Sequence, residues 1–324
     1  MNVSGPKISV SLYGFTKELY TGYYTMEQCM EKAAESGADG VEIVNTQHIR
    51  RYPTPTPEYL DSFRKLMEKY RLEPACYGSY TDGALTKNGF VPDDVLVDAL
   101  LRDLDFAEIM GFPVIRLGYD TSPKVLERVV DAAEKKEIKL GIELHAPITV
   151  EHPIYLKFEE MFDKLQSPYL GFVPDFSGWA KRLPDTVLNS AVSFGVPKAA
   201  AKMLGTAFVV GVDVEKIKKT AHSLGVPADF DYLLDLLFHV VVKGDPESLR
   251  KIMKRAVHVH GKFWGLDKND METCIPYPKL LSIVKESGYQ GFVTSEYEGY
   301  ELTPGYDGAD NVRRHVGMMR KYLT

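Results

Sequence analysis

Short apolar runs alternate with longer amphipathic stretches from one end of the chain to the other. Runs of strand length bounded by turn residues fall at 7–12 (KISVSL), 40–44 (GVEIV), 74–79 (PACYGS), 113–119 (PVIRLGY), 139–144 (KLGIEL), 169–175 (YLGFVPD), 256–262 (AVHVHGK) and 291–296 (GFVTSE). Between them the spacing predicts helices. TMEQCMEKAAESG sets Met26, Met30 and Ala33 at helical intervals, with Gly37 as its stop. PEYLDSFRKLMEKY opens on a proline, which the first helical turn tolerates. PDDVLVDALLRDLDFAEIMG puts aspartates at the positive end of the helix dipole and closes on Gly111. Further helices are read at 122–137, 158–167, 277–288 and 309–323.

Strands alternating with helices pair in parallel through right-handed crossovers. Eight such units in 324 residues predict an α/β protein, a (β/α)8 TIM barrel formed as one domain over residues 1–324. The rival, a doubly wound open sheet binding nucleotides, would carry a glycine-rich loop after its first strand. Here LYGFTKELYTGYY follows instead, and the chain has neither GxGxxG nor a P-loop. The rhythm breaks once. Residues 176–255, between strands six and seven, read as a helical insertion where one helix would suffice. Loops at the carboxyl ends of barrel strands build active sites, so this insertion is expected to roof the pocket or meet a partner.

Composition narrows the function. A hydrophobic content of 44% supports a full core, while a net charge of −6 without a basic stripe argues against nucleic acid. The cysteines, Cys29, Cys76 and Cys274, form no CxxC pair, which suits a reducing cytoplasm. The amino terminus holds no apolar core of signal-peptide length. The most apolar run, DYLLDLLFHVVVKGD, is broken by Asp235 and His239 and is too short for a bilayer, so no membrane is expected.

The chemistry lies at the ends of the last four strands. In AVHVHGKFW, period-two alternation turns His258, His260 and Lys262 to one face, where a strand would pack better with Val or Ile. GIELHAP presents Glu143 and His145, FVPDFSG ends on Asp175, and VTSEYEG presents Glu296 and Glu298. Taken singly, an inward histidine is more often a core residue. Four consecutive strands each delivering a carboxylate or imidazole to one rim are another matter. Such groups would repel and desolvate at a cost of several kcal/mol each unless a cation joined them. Glu143, Asp175, His260 and Glu296 offer three oxygens and one nitrogen. That set favours Mn²⁺, with Mg²⁺, Co²⁺ or Fe²⁺ as alternatives and Zn²⁺ less favoured.

The set IELHAP, VPDFSG, HVHGK and SEYEG resembles the xylose-isomerase-like TIM-barrel superfamily of sugar isomerases, epimerases and dehydratases. The resemblance covers the chain apart from the insertion. It implies one divalent metal held by Glu143, Asp175, His260 and Glu296, with His258 deeper, as a substrate-facing or supporting group. Many epimerases of that family read Asp-x-x-His after strand six. Here Asp175 is followed by Phe176, Ser177 and Gly178, so the substrate-binding histidine is missing. GIELHAP, VHVHGKFW and the large helical insertion narrow the resemblance to the catalytic α subunit of bacterial C-glycoside deglycosidases. Those enzymes work with a small β-rich partner chain and cleave the carbon–carbon bond between a 3-keto sugar and an aromatic aglycone.

Either reading implies a keto-sugar or glycoside substrate whose carbonyl is polarised and whose neighbouring C–H is deprotonated. His145, an imidazole two residues past Glu143 on the same face, is the candidate base, and Glu143 and Glu296 are the alternatives. Lys262 and Arg116 are candidates for steadying negative charge on the substrate. A sugar isomerase, an epimerase or an inosose-type dehydratase is the alternative function. A non-catalytic scaffold is a further one, against which the intact ligand set argues. The tyrosine-rich loop LYGFTKELYTGYY reads as packing at the barrel mouth, and RRYPTPTPEYL as a stiff loop.

Overall fold

A computed structural model describes residues 5–80, 91–232, 234–235 and 241–323. The eight strands are β1 (Lys7–Ser11), β2 (Gly40–Val44), β3 (Glu73–Ser79), β4 (Val114–Leu117), β5 (Lys139–Leu144), β6 (Leu170–Pro174), β7 (Val259–Phe263) and β8 (Phe292–Tyr297). All pair in parallel in the order β6-β5-β4-β3-β2-β1-β8-β7. The ring closes between β6 and β7. There the Phe172 N–H donates to the Arg255 carbonyl and the Val257 N–H to the Phe172 carbonyl, both at 2.9 Å, and Asp175 pairs with His260. The chain is a (β/α)8 barrel. Its strands are buried on both faces because side chains fill the barrel interior and helices cover the outside.

Most of the expected helices form, and their ends follow local chemistry. Met26–Glu35 begins on a reciprocal cap between Thr25 and Gln28, and Gly37 follows its end at φ +83°. Asp93–Met110 stops at Gly111, at φ +84°. Two expectations need correction. The helix placed at 158–167 starts earlier, at Pro153, because proline suits a first helical turn and the His152 ring accepts the Ile154 N–H at 3.2 Å. The loop LYGFTKELYTGYY contains a 3₁₀ turn, Leu12–Phe15, and a short helix, Thr16–Tyr20.

The barrel seam leaves no room for a side chain at Gly171. A Cβ there would press on the Arg255 carbonyl oxygen and lie 2.6 Å from Cγ1 of Val257. Gly171→Ala is expected to destabilise the fold by about 1–3 kcal/mol, read as a lower urea midpoint with an unchanged slope. A midpoint equal to that of the unaltered protein would refute this account of the seam.

The connection from β6 to β7 carries helices Asp185–Ser193, Lys198–Val210, Val214–Ser223 and Leu249–Met253. Within the apolar run DYLLDLLFHVVVKGD, residues 233 and 236–240 lie outside the described residues. The connection is fastened to the end of β6. The Val242 N–H donates to the Ser177 carbonyl at 2.9 Å, the Ala180 N–H to the Val242 carbonyl at 2.8 Å, and the Trp179 indole to Ser248 Oγ at 2.9 Å. Among the described residues no helix is long and apolar enough to cross a membrane.

Candidate active site

Parallel strands end at one rim, and four of them converge there. Glu143 is the penultimate residue of β5, Asp175 follows β6, His260 lies on β7 and Glu296 on β8. All four are buried, and their donor atoms lie within 4.8 Å of one another. The Nδ1 of His260 is 2.8 Å from Glu143 Oε1, 3.1 Å from Glu296 Oε2 and 3.9 Å from Asp175 Oδ2. These contacts are close but misaligned. His260 Nδ1, Asp175 Oδ2 and Glu296 Oε2 are buried atoms with no hydrogen bond. The other oxygen of Asp175 is engaged, accepting the Ser177 N–H at 2.7 Å.

Buried polar atoms left without hydrogen bonds are costly, so a converging set of them marks a place for a ligand. Charge supports the same conclusion. Glu42, Glu143, Asp175 and Glu296 are buried carboxylates, whereas the buried fixed cations beside them are Arg116 and Lys262. Two negative charges remain unmatched. A divalent ion bridging oxygen and nitrogen donors at about 2.0–2.6 Å fits both the span and the charge. The residues are positioned to bind a metal.

The titration of the cluster reflects its crowding. Burial alone would raise Glu143, but Arg116 and His260 outweigh it and hold the carboxyl well below the usual carboxylate range. Glu296 also feels burial, which His260 and Lys262 overcome, lowering it to about 2. Asp175 is raised, first by burial and then by Glu296 and Glu143, with Lys262 opposing. Burial would depress His260, yet Glu296, Glu42 and Glu143 lift it well above the imidazole range. Without an ion, a proton on His260 supplies part of the missing positive charge.

Cavities open above the cluster. One of about 280 Å³ is lined by Tyr13, Ser177, Lys262, Glu296 and Glu298. A second of the same size is lined by Ser79, Gly118, Tyr119 and Asp120. Tyr80, Arg116, Glu143 and His145 line both, so the two are lobes of one cleft. His145 lies just past β5, its ring edge-on to Tyr119 at 4.9 Å. Its Nδ1 is 2.6 Å from the Ala146 carbonyl. A carbonyl only accepts, so Nδ1 carries the proton and the neutral ring keeps its lone pair on Nε2.

The remaining residues singled out from sequence fall around this cleft. Arg116 is buried and donates to Glu143 Oε2 at 2.7 Å. Lys262 is buried among Asp175 at 3.2 Å, Glu296 at 3.5 Å and Glu298 at 2.7 Å. His258 takes the deeper of the two histidine positions, with Nε2 2.6 Å from Thr294 Oγ1 and 3.2 Å from Glu42 Oε2. Sequence reasoning passed over Glu42, whose Oε2 is 2.8 Å from Nε2 of His260. The signal was present, because GVEIV spends a mid-strand position on an acid, but β2 is remote in sequence from the last four strands. The lining tyrosines Tyr80 and Tyr119 were also missed. They follow β3 and β4 in YGSY and LGYD, which carry no periodic signal.

A family model described as xylose isomerase-like TIM barrel matches residues 30–322. The chain belongs to that family. All four strand ends of this xylose isomerase-like barrel that meet at His260 lie within the matched span. Among characterised relatives, the 3'-dehydrocarminate deglycosidase alpha subunit of a Microbacterium species is 28% identical over 330 residues, 98% of this chain and 95% of its own. A C-glycoside deglycosidase alpha subunit of Arthrobacter globiformis is 29% identical over 331 residues, 99% of this chain and 93% of its own. Among solved structures, D-allulose 3-epimerase from a Methylomonas species covers 99% of both chains at a TM-score of 0.59 and 13% identity. A 3-keto-D-glucoside 4-epimerase from E. coli covers 98% of this chain and 99% of its own at 0.56 and 12%. At such identities the structural likeness speaks to fold alone.

Proposed function

We propose that the chain is the catalytic α subunit of a C-glycoside deglycosidase, a lyase that splits a 3-keto C-glycoside into a sugar enone and an aromatic aglycone. The observation that carries this reading is the two-lobed cleft with His145 at its junction. One lobe lies over the carboxylate–histidine cluster and suits the keto-sugar. The other lies between Tyr80 and Tyr119 and suits a ring, since tyrosine offers both an apolar face and a hydroxyl. Two relatives named as deglycosidase alpha subunits, each matching nearly the whole chain, support it. The glycine at position 178 does as well. Among the described residues no atom lies within 4 Å of a Cβ built there, so the backbone position where many epimerases of the family carry a histidine is open.

Glu143, Asp175, His260 and Glu296 would hold one divalent ion, and their oxygen-rich set suits Mn²⁺. When bound, the ion supplies polarisation of the sugar carbonyl. His145 Nε2 takes the proton from the carbon next to that carbonyl. The electron pair left behind forms a carbon–carbon double bond toward the glycosidic carbon and breaks the bond to the aglycone. The departing ring carbon takes a proton in return, which His145 can give back, so hydrogen passes from sugar to ring with no oxidant. Arg116 and Lys262 steady negative charge on the substrate oxygens, and His258 supports the site from below. The three cysteines are buried and unpaired, and a cytoplasmic location is proposed with this reading.

The helical connection carries exposed apolar side chains. Phe194, Val210 and Tyr232 are 69, 70 and 71% exposed, and Val209 is also exposed. Aromatic side chains are enriched at protein interfaces, and a small β-rich subunit is the partner proposed. The isolated chain is expected to leave free ketoses unchanged and to cleave a 3-keto C-glucoside only when that subunit is added, with product release followed by chromatography. Rapid turnover of ketoses by the chain alone would replace this reading with a sugar isomerase or epimerase.

A further inference from the structure

We propose that Glu42 is a positioning residue that holds the His260 ring with its proton on Nε2 and its Nδ1 lone pair toward Glu143, Asp175 and Glu296. The inference rests on the reading that those four residues hold a cation. Glu42 is completely buried on β2, across the barrel from the seam that pairs Asp175 with His260. Its Oε2 lies 2.8 Å from His260 Nε2, and its Oε1 accepts from Ser11 Oγ at 3.0 Å. Arg116 Nε stands 3.9 Å from the same Oε1, which favours the ionised carboxylate. An ionised carboxylate only accepts hydrogen bonds, so the nitrogen facing it must be the donor. The neutral ring then has one arrangement left, with its lone pair on Nδ1, the atom that faces the ligand carboxylates.

The carboxylate is itself held in place. Its Oε2 also meets His258 Nε2 at 3.2 Å, and that nitrogen is 2.6 Å from Thr294 Oγ1. Thr294 Oγ1 is in turn 2.6 Å from Ser9 Oγ, and every member of this chain of contacts is buried. Arg116 joins the two layers, since it contacts Glu42 and donates to Glu143. A group behind a ligating histidine commonly fixes its tautomer and raises its basicity, and removing it costs about 10- to 100-fold in metal affinity. An amide in place of Glu42 can present N–H to Nε2 and so allow the opposite tautomer. An aspartate keeps the charge but falls one methylene short.

The test uses the full chain stripped of metal by a chelator and titrated with Mn²⁺, free ion being read by electron paramagnetic resonance. Glu42→Gln and Glu42→Asp are expected to weaken binding by about 10- to 100-fold, with the thermal midpoint of the metal-free protein recorded alongside. In the unaltered protein loaded with diamagnetic Zn²⁺, ¹⁵N spectra of the imidazoles should show His260 ligating through Nδ1 and protonated on Nε2. Equal Mn²⁺ affinity in both folded variants would overturn the role of Glu42 and leave the metal site standing. Ligation of His260 through Nε2 would do so even if neither variant folds. Failure of the unaltered chain to bind any of these ions would overturn the metal site, and the inference with it.

Discussion

His260→Ala is expected to abolish turnover and to leave the purified protein without its divalent ion. The residue supplies the sole nitrogen of the four-atom set, and its ring stands between Glu143, Glu296 and Asp175 on one side and Glu42 on the other. Without it, four buried carboxylates remain with Arg116 and Lys262 as their neighbouring cations. Polarisation of a carbonyl by a bound ion is worth several kcal/mol, so its loss removes at least about three orders of magnitude in rate at roughly 1.4 kcal/mol per decade. Glu143→Gln should give the same result by another route. It keeps the side-chain volume but removes a ligand charge and leaves the guanidinium of Arg116 without its 2.7 Å carboxylate partner. Elemental analysis of the purified variants, and assays after adding Mn²⁺ back, check both. Full turnover by metal-free protein in excess chelator would refute the metal requirement.

The barrel was legible because each strand is a short apolar run that is buried on both faces, and such runs stand out whatever lies between them. The buried cluster at the rim was legible for the opposite reason. His260 sits where a strand interior would spend a valine, and Glu143, Asp175 and Glu296 repeat that anomaly on neighbouring strands. Glu42 shows the same anomaly and was missed, because a lone acid in GVEIV is ordinary until β2 is known to face His260 across the barrel. Partners joined only by the closed barrel leave no trace in local spacing. Arg116 is a similar case. Its place on β4 was readable, whereas its bond to Glu143 and its approach to Glu42 depend on which way the side chain leans. The lining tyrosines Tyr80 and Tyr119 lie in the irregular segments after β3 and β4, where periodicity gives no guide, whereas Tyr13 belongs to the tyrosine-rich segment read as the barrel mouth.

A different signature is expected of His145→Ala, which should lower kcat by about two to four orders of magnitude while the metal content stays that of the unaltered protein. The ring is anchored at one nitrogen by the Ala146 carbonyl and braced by Tyr119, so its other nitrogen can act on substrate without belonging to the ligand set. It lines both lobes of the cleft, the place where the bond between sugar and ring would lie. Substrate affinity should change little, since Arg116, Lys262 and the ligand carboxylates remain. The variant should also lose the exchange of hydrogen for deuterium at the carbon next to the sugar ketone, a step that reports proton abstraction separately from bond cleavage. If the ion is lost together with activity, His145 is a structural brace for Glu143 rather than the base. If exchange persists at the original rate with the ion in place, proton abstraction belongs to Glu143 or Glu296, two of the carboxylates that line the sugar lobe.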